Sequence, residues 1–276
     1  MIVTGFVILV LFVLYERFLA RTPFLQYRFL TDRTVIAACL VNLTYQISYY
    51  CWASYFTSFL QVVCNLSVST AGYVNSTFQV VSGVVLFIVG YLIRGTGRFK
   101  WLFFVCNSFY LLGVGLMIHF RQPNQYIGYI VMCEIFQSLG GSVLILLVQL
   151  AVLASVDHQH FAAVLALLYV FGGIGGAIGN TISGAIWTNT FFDALVRELP
   201  ETAQANVTTI YGSIVTQLSY PVDTPERIGI QEAYGYAQLR MLAAGVGIMS
   251  LIYVWSCFIR NIDVSKKSAQ TKGVVF

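Results

Sequence analysis

Long apolar runs separated by short polar segments alternate along the whole chain. Runs of about 20 apolar residues or more are long enough to cross a bilayer as helices. A shorter run at 2–15 reads as a spanning helix whose first part is missing, and it lacks the basic start and small-residue site of a cleaved leader. The pattern therefore predicts an all-α membrane protein. Its six complete spanning helices are expected at 35–63, 70–93, 101–120, 126–154, 161–187 and 241–259.

The run at 35–63 differs from a simple membrane anchor, although it contains no Lys, Arg, Asp or Glu. As one helix it would be about 43 Å long. At 100° per residue, aromatic side chains form one stripe, and amide and hydroxyl side chains form a stripe beside it. Polar side chains are costly to expose to lipid, so these stripes are expected to face other helices or a wet cavity. The pattern leaves open whether they join helices or line that cavity. The aromatic stripe is Tyr45, Tyr49, Trp52, Phe56 and Phe59, and the polar stripe is Asn42, Gln46, Tyr50, Ser54, Thr57 and Gln61.

Composition agrees with a membrane protein. Hydrophobic residues make up 58% of the chain and charged residues 9%, against about 25% charged in soluble domains. The net charge of +4 comes from short basic clusters between apolar runs, which excludes a nucleic-acid surface and favours a lipid bilayer as the surroundings. The six Cys show no CxxC pairing, so neither a disulfide framework nor a zinc site is expected.

The distribution of basic residues orients the chain. Most of the 15 Lys and Arg fall on one side of the predicted spans, which the positive-inside rule makes cytoplasmic. The glycosylation sequons at Asn65 and Asn206 fall on the other side, whereas the one at Asn42 lies in a span. The expected organisation is a partial helix and cytoplasmic linker at 1–33, a six-helix bundle at 34–260 with an outer loop at 189–238, and a cytoplasmic tail at 261–276.

The basic turn after the second complete span contains Gly90, Arg94, Gly97, Arg98 and Lys100, and this spacing resembles a loop of the major facilitator superfamily. Glycine allows a tight turn, and the cations can reach the C-terminal ends of neighbouring helices. The residues of this candidate cytoplasmic gate are Gly90, Arg94, Gly97, Arg98 and Lys100.

A glycine-rich stretch at 172–179 has no strand before it and lies inside an apolar run, which argues against a nucleotide loop. Its small-xxx-small pairs, Gly172 with Gly176 and Gly175 with Gly179, instead predict close approach of two helices.

Glu134 is the ionisable residue placed well inside a predicted span. A carboxylate at that depth is costly, so it is expected to face a polar interior. Two roles stay open: a proton carrier, or a protonated side chain that hydrogen-bonds a neighbouring helix. His158 and His160 lie in a predicted cytoplasmic turn, where solvation is a better explanation than metal binding. The acidic, tyrosine-containing segment at 189–238 is read either as a lid over an entry path or as a solvated loop.

Segments in order over nearly the whole chain resemble the fungal siderophore–iron transporters of the major facilitator superfamily. They include Asp32–Val35, Tyr50–Trp52, Ser54–Phe56, Leu60–Val63, Ala71–Tyr73, Gly97–Trp101, Gly115–Arg121, Ile127–Met132, His158–His160, Ser183–Asn189, Gln217–Pro221 and Ala233–Gly235.

The resemblance implies the C-terminal six-helix half of a major facilitator fold, with part of one preceding linker helix. It implies proton-coupled uptake of ferric hydroxamate siderophores across a plasma membrane or endosomal vesicle membrane. The partners would be a ferric siderophore, protons, the lipid bilayer and a missing N-terminal half, with no cofactor and no metal ligand because the siderophore carries the iron. Glu134 would be the proton relay. The substrate-binding residues would be Tyr45, Gln46, Tyr49, Tyr50 and Trp52, and the outer-loop residues Tyr211, Gln217 and Tyr220.

Other functions stay open at this point. A glutathione:proton exchanger or a drug exporter of the same superfamily would share the fold but need a different cavity. A non-transporting fragment would need no cavity at all. An enzyme is not expected, because no nucleophile–base pair or metal cluster stands out in the sequence.

Overall fold

A computed structural model describes residues 2–18 and 29–263 as a bundle of α-helices. Within these residues no strand forms, and one isolated antiparallel bridge joins Arg98 to Asp263. The predicted all-α fold is therefore confirmed. The helices are α1 (Ile2–Phe18), α2 (Arg33–Ala53), α3 (Phe56–Val62), α4 (Val68–Thr96), α5 (Lys100–Phe120), α6 (Ile127–Ser155), α7 (Phe161–Glu198), α8 (Glu201–Gln204), α9 (Val207–Gly212), α10 (Ile214–Ser219), α11 (Pro225–Met249) and α12 (Leu251–Phe258).

Five helical segments in the described part of the chain are long and apolar enough to cross a membrane: Val68–Thr96, Lys100–Phe120, Ile127–Ser155, His158–Glu198 and Pro225–Phe258. The central helix α2 is not among them, because its amides and hydroxyls lower its hydropathy. It packs against α6, α7, α11 and α12, which together cover much of its surface. The bundle thus surrounds a polar helix with apolar ones, as expected where lipid replaces water.

The prediction of one unbroken helix at 35–63 is wrong. Helix α2 ends at Ala53, and α3 begins at Phe56 after a turn. The ring of Tyr55, in that turn, stacks on Trp187 of α7 with centroids 4.2 Å apart. Gln238 of α11 donates to the Tyr55 carbonyl at 3.4 Å. The Tyr55 carbonyl also accepts from the Phe59 amide at 3.1 Å, so α3 begins directly after the turn. Contacts with α7 and α11 thus hold the chain in place at the break.

The segment at 189–238 is mostly helical rather than an open loop. Helix α7 continues to Glu198, and α11 starts at Pro225 with Thr224 as its N-cap. Only α8, α9 and α10 and their connections fill the interval 199–224. The hydropathy pattern did not predict these helices because the segment is polar, and hydropathy locates only the lipid-facing part of a long helix.

The close helix approach predicted at the glycine-rich stretch is observed, and the partner of α7 there is α2. A Cβ added at Gly175 would lie 2.4 Å from the carbonyl oxygen of Leu43, and one at Gly179 would lie 2.7 Å from that of Ile47. Asn42 of α2 also donates to the Leu168 carbonyl of α7 at 2.9 Å. Small residues on α7 thus let the two backbones touch.

At the predicted cytoplasmic end, the residue before α2 contacts the segment that follows α12. Asp32 caps α2 by accepting from the amides of Thr34 and Val35, and it pairs with Arg260 at 3.4 Å. Several cations used for the orientation lie outside the described residues: Arg21, Arg28, Lys266, Lys267 and Lys272.

The glycine contacts predict a position-dependent stability effect. Gly175→Ala should lower the free energy of unfolding by about 1–3 kcal/mol, because the new methyl group would overlap the backbone of α2. Gly173→Ala, on the same helix with open space around it, should be neutral or stabilising. Thermal unfolding of the detergent-solubilised protein compares the two. Equal behaviour of the variants would contradict the proposed helix contact.

The sequons predict one glycan and its side. Asn42 is buried and bonded to α7, and the side-chain oxygen of Asn65 accepts from Arg227 at 3.0 Å. Asn206 is exposed between α8 and α9. We therefore expect a glycosidase-sensitive mass that disappears in Asn206→Gln and persists in Asn65→Gln. A glycan that persists in Asn206→Gln and disappears in Asn65→Gln would contradict the choice of Asn206, and absence of any glycan would contradict the assignment of this segment to the outer side.

Candidate functional site

Helix α2 separates two polar regions of the bundle. Its amide stripe lines an open groove shared with α6 and α7, and its aromatic stripe faces α4, α5 and the interior. Both regions derive from the two stripes that the sequence predicts on this helix. The predicted substrate-binding residues are accordingly divided between them.

The groove has a volume of about 310 Å³, at the lower end of the roughly 300–1,000 Å³ typical of small-molecule sites. Gln149 donates to the hydroxyl of Tyr169 at 3.1 Å along its wall. Asn180, at its edge, accepts from Ser54 at 2.8 Å. No charged side chain lies in the lining within the described residues, so the groove offers amides, phenols and apolar surface. Its lining residues are Asn42, Gln46, Tyr50, Ile145, Val148, Gln149, Leu168, Tyr169, Gly172, Gly173, Gly176, Ala177 and Asn180.

Gln46 and Tyr50 of the predicted binding set lie in this groove. Tyr45 and Trp52 are instead buried in the bundle, with 3% and 2% of their surfaces exposed. Tyr49 lies between the two regions, with its ring 5.3 Å from Tyr50 and 5.5 Å from Trp52. Substrate contact by any of the five stays a prediction.

Tyr110 of α5 contacts two members of the buried aromatic stripe, Tyr45 and Trp52, and it was not predicted as a site residue. Its ring lies 5.4 Å from that of Tyr45, and its hydroxyl accepts from the indole nitrogen of Trp52 at 3.2 Å. A tyrosine inside an apolar run needs a hydroxyl partner, and this requirement was the only available signal.

Glu134 of α6 faces this interior and is 1% exposed. Its Oε1 atom has no hydrogen-bond partner. The ionisable side chains near it include Tyr45 and Tyr49 of α2 and Tyr110 of α5. The predicted polar, inward orientation is therefore observed, while its role as a proton relay stays a prediction.

Arg121 follows α5 and is fully buried, although the sequence placed it in a turn between spans. Its guanidinium donates to the carbonyl of Trp52 at 3.3 Å and lies over the rings of Phe56 and Phe59, at 4.6 Å and 5.1 Å from their centroids. Gln137, one turn from Glu134 on α6, donates at 3.2 Å to the sulfur of Met117, one turn before Arg121, so the two ionisable side chains lie in the same part of the interior. Nothing in the sequence distinguishes a buried arginine at a helix end from a solvated one.

The candidate gate lies where α4 meets α5. Gly97 ends α4 in the left-handed conformation, with φ 66°. Lys100 donates to the carbonyl of Cys257, in the last turn of α12, at 3.0 Å. Gly90 and Arg94 are exposed on α4. The expected contact between a cation of this turn and a helix C-terminus is thus present for Lys100, and the gating role stays a prediction.

The outer-loop residues pack in different ways. Gln217 is buried, donates to the Ile210 carbonyl at 2.8 Å and accepts from the Tyr234 hydroxyl at 2.8 Å. Tyr211 packs on Phe191, and Tyr220 is half-buried. Gln217 therefore joins the α9–α10 segment to α11.

Metal-binding groups do not cluster in the described residues, where no three His, Cys, Asp or Glu side chains come together. The ring of His160 packs near Phe29 at 5.0 Å, and that of His158 packs near Phe161 at 4.6 Å.

These features define a multi-pass α-helical membrane protein whose polar central helix borders a groove on one side and a buried polar region on the other. Comparison with curated proteins gives relatives that match over the whole chain. It is 66% identical over 276 residues to the siderophore iron transporter mirB of Emericella nidulans, covering 100% of this chain and 46% of that protein.

More distant relatives agree. The MFS siderochrome iron transporter 1 of Gibberella zeae is 64% identical, with 100% of this chain and 45% of the relative covered. The siderophore iron transporter 1 of Schizosaccharomyces pombe is 38% identical, with 96% and 43% covered. No family model matches the chain.

The chain therefore belongs to the fungal siderophore iron transporters of the major facilitator superfamily. It corresponds to their C-terminal half. It spans about half the length of the curated relatives it matches.

Tyr110→Phe should lower the free energy of unfolding by about 1–3 kcal/mol, because it leaves the buried indole N–H of Trp52 without its acceptor. Tyr253→Phe is a matched control, because its hydroxyl bonds Ser108 at an exposed position. Thermal unfolding in detergent should separate the two variants. Equal, small losses would show that the Trp52–Tyr110 bond does not stabilise the bundle.

Proposed function

We propose that this chain forms the C-terminal half of a carrier that takes up ferric hydroxamate siderophores together with protons. The observation that carries the proposal is the 66% identity, over the entire chain, to a protein named as a siderophore iron transporter. Carriers of this kind bind substrate between two halves that rock around a site near the membrane midplane. The groove of α2, α6 and α7 then forms one wall of that site, and an N-terminal half like that of the relatives forms the other.

The chemistry of the groove supports a siderophore as the substrate. A ferric hydroxamate presents amide oxygens and apolar patches, which match amide donors and aromatic faces. The chelator already saturates the iron, so the protein needs no metal ligand and no cofactor. An anionic substrate such as glutathione would favour cations in the lining, and the described lining carries neutral side chains such as Gln46, Gln149 and Asn180.

The remaining roles follow from position. Glu134 is the proton-relay residue, since it is a buried carboxyl group beside the central helix. Gly90, Arg94, Gly97, Arg98 and Lys100 form the cytoplasmic gate where α4, α5 and α12 meet. Tyr211, Gln217 and Tyr220 belong to the segment of α8, α9 and α10, which covers the outer side of the bundle. The protein acts as a transporter rather than an enzyme, in a plasma membrane or an endosomal vesicle membrane.

Uptake of a labelled ferric hydroxamate tests the proposal in cells that lack their own siderophore carriers. The chain is co-expressed with the N-terminal half of a relative. We expect uptake that an unlabelled ferric siderophore inhibits and glutathione does not. Inhibition by glutathione, or absence of uptake although both halves reach the membrane together, would contradict the proposal.

Groove variants test the site within the same assay. Gln46→Leu and Tyr50→Leu should raise the KM for the siderophore by about tenfold, the equivalent of one lost hydrogen bond of about 1.4 kcal/mol. Tyr73→Leu is the matched control, because that side chain is 77% exposed on α4 away from the groove. An unchanged KM in both groove variants would exclude the groove as the binding site.

A further inference from the structure

Two buried ionisable side chains have hydrogen-bonding atoms without a partner. Arg121 lies beside the break in the central helix, and Glu134 lies on α6, one turn from Gln137, which donates to the sulfur of Met117 in the last turn of α5 at 3.2 Å. Arg121 has no partner for its Nε atom and one of its terminal nitrogens, and Glu134 has none for Oε1. No direct ion pair joins the two residues among the described contacts. Buried polar groups are almost always paired, and a charged one left unpaired is costly. The packing of the bundle does not explain why these atoms of Arg121 and Glu134 are buried without partners, and a functional role would explain it.

Arg121 already holds the end of α2. It donates to the Trp52 carbonyl at 3.3 Å, one residue before α2 ends at Ala53. Carbonyl groups in the last turn of a helix lack their usual helical donors, and a cation placed there stabilises the helix end. The rings of Phe56 and Phe59, on α3, lie beneath the same guanidinium. Arg121 thus contacts the chain on both sides of the break.

The ionisable groups near Glu134 come from α2, from α5 and the residue that follows it, and from α6 itself. They include the phenols of Tyr45 and Tyr49 on α2, the phenol of Tyr110 on α5, and Arg121 after α5. Cys133 precedes Glu134 on α6 and is a neutral thiol in ordinary conditions. Phenols are also neutral near pH 7. Among these groups Arg121 carries the positive charge that an ionised Glu134 would attract.

We propose that Arg121 couples the protonation of Glu134 to the break between α2 and α3. When Glu134 is ionised, it attracts the two free donors of Arg121, and the guanidinium turns from the Trp52 carbonyl towards the carboxylate. When Glu134 binds a proton from water, the attraction falls and Arg121 returns to the helix end and the aromatic rings. The only chemical change is the addition or loss of that proton. Arg121 is a positioning residue in this scheme, which rests on the proposed proton-coupled transport.

Trp52 provides a readout that does not require transport. The chain has four tryptophans, and Trp101→Phe, Trp187→Phe and Trp255→Phe leave Trp52 as the only one. The Arg121 guanidinium lies 5.8 Å from its ring centroid, so its movement should change the emission. We expect one step in Trp52 emission of this chain as rising pH ionises Glu134. Glu134→Gln and Arg121→Gln should both abolish the step.

Arg227→Gln is the matched control for the fluorescence experiment. Arg227 is also buried and donates to the Gln217 carbonyl and to Asn65. The ionisable side chain near it is the phenol of Tyr234, which is neutral near pH 7, rather than a carboxyl group. The pH step should therefore survive in Arg227→Gln. Absence of a step in the parent, or a step that persists in Glu134→Gln, overturns the proposal.

The pH profile of uptake, measured with the N-terminal half of a relative, tests the same coupling during transport. Removal of the positive charge in Arg121→Gln disfavours the ionised carboxylate, so the pH of half-maximal uptake should rise by about one unit. Arg121→Lys keeps the charge and should restore the parental midpoint. Arg227→Gln should alter the amount of protein without moving the midpoint. An unmoved midpoint in Arg121→Gln overturns the proposal.

The two experiments fail in distinguishable ways. A Trp52 step that depends on Glu134 and Arg121, without any siderophore uptake, would retain the coupling and refute the proposed function. Siderophore uptake without such a step would retain the function and refute the coupling. Membrane abundance is measured for each variant. If Arg121→Gln does not accumulate, the comparison of the parent with Glu134→Gln in the Trp52-only chain decides the outcome.

Discussion

Polar groups at membrane depth depend on the protein for partners, because lipid offers none. This constraint places α2 at the centre of the bundle, since its amides and hydroxyls are poorly suited to lipid. Asn42 and Ser48 bond carbonyls of α7 and α11, and the more apolar helices pack outside. The arrangement of the other helices follows from the need to cover this one polar surface while leaving part of it open as a groove.

The same constraint governs the break between α2 and α3. Backbone groups near the interruption receive donors from Arg121 and Gln238, which come from different parts of the chain. A broken helix stabilised by side chains from several elements can change when any of them moves. The break therefore lies where the end of α2, Arg121 after α5 and Gln238 of α11 meet.

Much of the fold could be predicted from hydropathy, because apolar length and the positions of polar breaks locate spanning helices directly. The α4, α5 and α6 boundaries differ from the expected runs by a few residues. The polar extensions of α7 and α11 were not predicted, because the hydropathy pattern indicates contact with lipid rather than helical conformation. In the candidate site, the two stripes of α2 and the inward orientation of Glu134 were predictable. Tyr110 and Arg121 were not, because their partners lie far away in sequence.

The sequence by itself determined that the chain is a helical membrane protein with one unusually polar helix, and its segments resemble the family to which the comparisons assign it. Only the tertiary structure decided which stripe faces the groove, where α2 breaks, and that Arg121 lies buried beside Glu134. The physical reason is that helical periodicity assigns residues to a face, whereas the neighbour of that face is set by packing between helices. Gly175 and Gly179 illustrate this, since their spacing predicts a close contact and only the folded bundle shows that α2 is the partner.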